Sequence, residues 1–276
     1  MSKASLRQAI QVLRQMEEAE WDSALVQTFI GNWGSIRDLM VALQDGRRTQ
    51  DEIQAVLEGR FKITPSEKQT TKSRAVQFIL PLSDADAVRG LLVKGYTADK
   101  VDHVLGAWRR LAESLDYTGP VVWQVKAGFT LKHHAPQAGP CCNGFQYLQD
   151  WNFTDEPTKD GLVFFIPRLL TDSVEKNVCE QGALLKETRN RYELPDHHLT
   201  SFGSSSILAG LILAHYKATN ECVPLNKFWT RSDTLIADTY RLRLGDFGEY
   251  GLFCGYWGWD GRRYDGLGCF PLGVES

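Results

Sequence analysis

The sequence predicts an α+β protein: an all-helical N-terminal half followed by an α+β half with an antiparallel sheet and a C-terminal β-meander. Three observations carry that expectation. Residues 1–117 repeat apolar side chains at spacings of three and four, as helices do. Beyond Thr118-Gly119-Pro120 come β-branched and aromatic runs, the signature of strands. The last stretch, 238–274, alternates with period two between turn dipeptides. The change of character sets the expected boundary between a helical domain, 1–117, and an α+β domain, 118–276.

In chain order, Leu6, Ile10, Leu13 and Met16 fall on one helical face. Thr49 with Glu52, and Thr64 with Pro65 and Glu67, have the spacing of capping boxes, in which hydroxyl and carboxylate satisfy orphan amides reciprocally. Ser83 and Asp86 open a short helix that ends at Gly95. Thr97 caps a longer one with an apolar stripe of Val101, Val104, Leu105, Trp108, Leu111, Ala112 and Leu115. Residues 121–125 read as a strand, and 136–144 as a Pro/Gly-rich loop. The continuous apolar run 162–166 predicts a strand covered on both faces. A helix begins near Asp172 and Glu175, and the run 207–214, apolar on every side, predicts a centrally buried helix. In the tail, 240–244 alternates, and Asp260-Gly261 and Asp265-Gly266 supply the positive φ that tight hairpins need.

Composition excludes several classes. The 276 residues carry 31 Lys+Arg against 34 Asp+Glu, so no whole-molecule field draws the chain to a polyanion. Residues 1–20 are charged throughout, unlike a secretory signal, and the longest apolar run is far short of the ~20 residues a bilayer requires. The expectation is a cytoplasmic protein with no membrane partner, whose six cysteines are free thiols.

Five chemistries are weighed against this background. Leu91, Gly95, Val101 and Val104 keep helix-turn-helix spacing over 86–108, which would aim Lys100, His103, Arg109 and Arg110 at nucleic-acid phosphates. Asp99 and Asp102 on the same helix oppose that reading. His133, His134, Cys141 and Cys142 place four zinc-type ligands within ten positions, although adjacent pairs diverge from one another. The same thiols could act as nucleophiles if His133, His134, His197 or His198 lowered their pKa. Gly203, Ser204, Ser205 and Ser206 cap the apolar helix, and their amides could hold an anion. The second glycine of a G-x-S-x-G nucleophile elbow is missing there. Asp116 ahead of Gln124-x-Lys126 is the outline of a Mg²⁺ nuclease site, with an amide where the metal needs a carboxylate.

Each catalytic pattern thus lacks a component. The expected function is a non-catalytic accessory or regulatory protein that needs no cofactor. Its partner, another protein, would dock on the aromatic meander through Tyr256, Trp257, Trp259, Arg262 and Arg263. The alternatives are a metal- or Cys/His-dependent hydrolase or nuclease, and a DNA-binding protein acting through the helix-turn-helix-like unit at 86–108.

Overall fold

The computed structural model describes residues 78–275, apart from 225–226 and 238–239 and the side chains of Ala237, Trp257 and Trp259. These residues belong to the second of the two units, Met1–Lys72 and Ser73–Ser276, into which the chain divides. The helical face at Leu6–Met16 and the caps at Thr49 and Thr64 lie outside the described residues.

In chain order the elements are β1 (Ile79–Pro81), α1 (Asp84–Val93), α2 (Ala98–Ser114), β2 (Val122–Val125), α3 (Ala135–Ala138), a 3-10 segment (Cys142–Asp150) and β3 (Gly161–Phe165). They continue with α4 (Val178–Tyr192), α5 (Ser205–Thr219), β4 (Trp229–Ala237), β5 (Tyr240–Gly248), β6 (Gly251–Trp259), β7 (Leu267–Gly268) and β8 (Leu272–Glu275).

Local chemistry explains the helix ends. The Ser83 hydroxyl accepts from Asp86 N and starts α1, and Thr97 does the same for α2 through Lys100 N. Gly95 turns the chain between them at φ +88°, a region open to glycine without cost. Asn177 and Glu180 close a reciprocal capping box on α4. Ser204 caps α5 by accepting from Ile207 N.

Two four-stranded sheets form among the described residues, in the orders β1-β2-β3-β8 and β6-β5-β4-β7. The first is antiparallel throughout. The second contains a parallel pair, β4 with β7, beside the antiparallel β4-β5-β6 meander.

Apolar side chains dictate the layering. In β3, Leu162 and Phe164 enter one core with the stripe of α2, while Val163 and Phe165 enter the other with α5. The run 162–166 is therefore covered on both faces because its alternate residues serve two cores. Helix α5 lies in the second core, among Ile79, Trp123 and Val125 of the first sheet and Leu242, Leu244 and Leu252 of the second. Its Leu208, Leu211, Ile212 and Leu213 are fully buried, each contributing roughly 2 kcal/mol relative to exposure. A side chain at Gly210 would run into Ile79, so glycine there sets the close approach of α5 to β1.

The expectation of an all-helical first half is corrected by β1. This strand stands ahead of α1 and pairs with β2 in the register Leu80 to Gln124, so the helices cover a sheet to which their own half of the sequence contributes. Three residues ending in proline show no period-two pattern. Proline is tolerated because β1 is an edge strand, where its missing N–H breaks no ladder. The single antiparallel sheet is likewise replaced by two sheets. The tail divides between them, because β8 leaves the meander and pairs with β3. No helix among the described residues is long and apolar enough to cross a membrane.

Candidate functional site

One group of His, Cys, Asp and Glu side chains converges among the described residues: His197, His198 and Glu275, whose ligand-type atoms lie within 4.8 Å of one another. Two distant elements bring it together. The histidines sit in a turn after α4, where His198 N donates to Pro195 O at 2.9 Å and Leu199 N donates to Leu272 O at 3.0 Å. The second of these bonds ties the turn to β8, which carries Glu275. Helix α2 adds Trp108, and the loop after Gly95 adds Tyr96.

The hydrogen bonds fix the protonation of each member. Trp108 Nε1–H donates to His198 Nδ1 at 3.0 Å, so Nδ1 is unprotonated and the proton of the neutral ring sits on Nε2. That Nε2–H donates to Glu275 Oε1 at 2.7 Å. Tyr96 OH donates to the same oxygen at 2.7 Å, and His197 Nε2–H donates to it at 3.2 Å. His198 is fully buried and Glu275 nearly so, whereas the His197 side chain is half exposed.

Electrostatics follow the geometry. Burial lowers the His198 pKa below its ordinary 6.5, outweighing the hydrogen bond to Glu275 that pulls it up. Burial raises Glu275, but the hydrogen bonds from His198, Tyr96 and His197 outweigh it and hold the carboxyl down at about 2. Burial, with the Glu275 charge beside it, pushes the Tyr96 phenol up. The site is a neutral imidazole and an ionised carboxylate at neutral pH.

This arrangement is poorly suited to a metal. A neutral histidine that coordinates through Nε2 carries its proton on Nδ1, where an acceptor orients it. Here Nδ1 faces an indole donor, so coordination would set two N–H groups against each other. The 2.7 Å between His198 Nε2 and Glu275 Oε1 is also shorter than the roughly 3.3 Å that separates two ligands on tetrahedral zinc with bonds of about 2.0–2.1 Å. What the cluster does well is join α2, the turn after α4, and β8 through a buried, satisfied network.

The sequence-derived candidates fall elsewhere. His133, His134, Cys141 and Cys142 do not form a converging group. His134 Nδ1 accepts from Thr130 N at 3.0 Å and from the Thr130 hydroxyl at 2.9 Å, which leaves its proton on Nε2 and no nitrogen free to ligate. His133 is exposed, and its carbonyl accepts from Gln137 Nε2. Burial pushes the Cys141 thiol up to about 12 and raises Cys142 as well, the reverse of what a nucleophile requires.

At the start of α5, Gly203 N donates to Asp233 Oδ2 at 2.8 Å, Ser205 N to Thr234 Oγ1 at 2.9 Å and Ile207 N to Ser204 Oγ at 3.3 Å. The Ser206 hydroxyl donates to Asp155 Oδ1 at 3.0 Å. The protein's own oxygens thus stand where an anion would bind. In the nuclease outline, Gln124 Nε2 donates to Val125 O and Gly161 O, while Asp116 sits in a left-handed turn at φ +52°.

On α2, Arg109 pairs with Asp84 at 2.8 Å, His103 Nε2–H donates to Glu193 O at 3.1 Å, and Lys100 lies 4.2 Å above the Tyr96 ring. Arg110 is exposed beside them. In the tail, Tyr256 is exposed and meets Trp151 edge-on at 4.7 Å between ring centroids. Arg262 lies over the Tyr264 ring, and Arg263 donates to the Glu180 carboxylate. The side chains of Trp257 and Trp259 are outside the described residues.

Sequence reading singled out His197 and His198 but missed Glu275, Tyr96 and Trp108 as their partners. Glu275 is 77 positions from His198 and Trp108 is 90, so no local spacing marks them. Compared with protein-family models, with curated proteins and with solved structures, the chain matches none.

Proposed function

We propose that this chain is a non-catalytic accessory protein that binds another protein through the β4–β6 meander and the segments flanking it. One observation carries the reading. Of the large apolar side chains exposed among the described residues, Phe228, Leu235, Tyr240, Tyr250 and Tyr256 all belong to this meander and its turns, with Tyr250 at 71% exposure. The others are Leu92 and Val93 on α1 and Val274 on β8. Tyrosine is an amphipathic anchor with little rotamer entropy to lose, and it is enriched where proteins meet.

Arg241 and Arg263 favour a protein over a nucleic acid here. Arg241 is held by Asp260 and Asp233, and Arg263 by Glu180, so their charges are met within the fold. A phosphate backbone calls for unpaired cations.

The test is site-specific photo-crosslinking in cells, with a photoreactive phenylalanine analogue in place of Tyr256 and, separately, of Val93. A discrete adduct with another polypeptide from position 256, absent from 93 and lost on Tyr250→Ala, supports the reading. Equal adducts from both positions, or none from 256, contradict it.

A further inference from the structure

We propose that the second sheet holds a small tetrahedral oxyanion of the phosphate or sulfate class against the buried side chain of Arg231, with Arg243 beside it. The proposal rests on an unmet donor pair. Arg231 is 0% exposed. Its Nε donates to Gln181 Oε1 at 2.7 Å. That amide cannot rotate away, because Gln181 Nε2 itself donates to Ser173 O at 2.8 Å and Leu267 O at 2.9 Å. Both terminal nitrogens, Nη1 and Nη2, lack a hydrogen-bond acceptor. Asp260 Oδ1 lies 3.8 Å from Nη1, too far for a hydrogen bond, and that oxygen already accepts from Arg241 Nε at 2.8 Å.

A second arginine with an unmet donor rises from the same face. Arg243 stands directly opposite Arg231 in the β4–β5 register, so the two side chains rise from the same face, with Cβ atoms about 5 Å apart. Its guanidinium is over the Trp229 ring at 4.3 Å, and its buried Nε also has no acceptor. Across β5 on that face is Gly255, where a Cβ would come within 3.2 Å of this nitrogen. Burial lowers the pKa of both arginines, a cost that a counter-anion would relieve.

The chemistry selects the ligand. With Nε committed to Gln181, Nη1 and Nη2 form an end-on fork that fits two oxygens of one oxyanion. A tetrahedral ion has oxygens left over for Arg243, whereas a planar carboxylate presents its acceptors in one plane. Complete burial of Arg231 restricts the occupant to a free ion and rules out a phosphate carried on a macromolecule.

Thermal unfolding in phosphate-free, sulfate-free buffer tests this. Inorganic phosphate is titrated from micromolar to 10 mM at constant ionic strength in chloride. The expected result is a saturable rise in Tm of about 3 °C or more, reproduced by sulfate. Arg243→Gln, on the less buried residue, should weaken the half-saturating concentration at least tenfold, and Arg231→Lys should abolish saturation. If Arg231→Lys does not fold, Arg243→Gln decides alone. A linear, unsaturated rise shared by wild type and variant is the general effect of excluded salts and overturns the proposal. A saturable rise that Arg243→Gln leaves untouched overturns it as well.

Discussion

Trp108 donates its indole N–H to Nδ1 of His198 at 3.0 Å, and this bond determines what the histidine can do. It leaves His198 a donor to Glu275, and it joins α2 to the turn that bonds the carboxylate on β8. The pair also packs closely, with ring centroids 5.6 Å apart.

Trp108→Phe keeps most of the apolar bulk and removes the donor. A buried acceptor left unsatisfied costs about 1–3 kcal/mol, so denaturant unfolding should show a loss of that size. With Nδ1 freed, the His198 pKa should rise, which NMR titration of its ring protons would detect.

Acid should destabilise the protein in two stages. The folded pKa of His198 lies below 6.5, so the unfolded chain binds a proton first as pH falls past 6.5, and stability begins to drop there. Glu275 is held at about 2 against an ordinary 4.5, so its contribution is present above pH 4.5 and is lost between 4.5 and 2. That contribution is on the order of 3 kcal/mol. Glu275→Gln should flatten the lower window specifically, as read from urea midpoints at a series of pH values. An unchanged slope below pH 4.5 would contradict the assignment.

Gly273→Ala should destabilise through crowding. The added Cβ would lie 2.7 Å from the His198 ring and 2.9 Å from Trp108 Cζ2, both fixed in a hydrogen-bonded network. Overpacking of this kind costs about 1–3 kcal/mol. A melting temperature equal to wild type would mean that the network yields more readily than its geometry implies.

Thiol reactivity should follow burial. Cys254 and Cys269 are buried, with Cys269 pushed up to about 12, whereas Cys179 is exposed on α4. Iodoacetamide labelling at pH 7.5, read by peptide mass spectrometry, should modify Cys179 first and Cys254 and Cys269 only on unfolding. Early labelling of Cys269 would show that the second sheet opens in the native state.

Residues with local signals were legible in the sequence. Ser83, Thr97 and Ser204 mark helix starts because a cap is a three-residue event. The run 162–166 shows burial on both faces, and the central position of α5 follows from its lack of a polar face. Strands made by pairing were hidden. Ile79–Pro81 and Leu267–Gly268 are too short for a period, and exist because Val125 and Thr230 stand opposite their ladders. The departure of β8 from the meander, which carries Glu275 to His198, depends on a partner strand about a hundred residues earlier. The site was therefore half legible: the adjacent histidines stand out, but the carboxylate, phenol and indole that define their chemistry arrive through tertiary structure.

The direct test of the locked cluster is the tautomer of His198, read by long-range ¹⁵N–¹H correlation NMR at pH 7.5 with and without equimolar zinc. The geometry requires a neutral ring with its proton on Nε2, an unprotonated Nδ1 that accepts a hydrogen bond, and no change on adding zinc. A proton on Nδ1 would contradict the hydrogen bond from Trp108, and zinc-dependent shifts at His197 and His198 would make the cluster a metal centre; either result contradicts the structural role assigned to it.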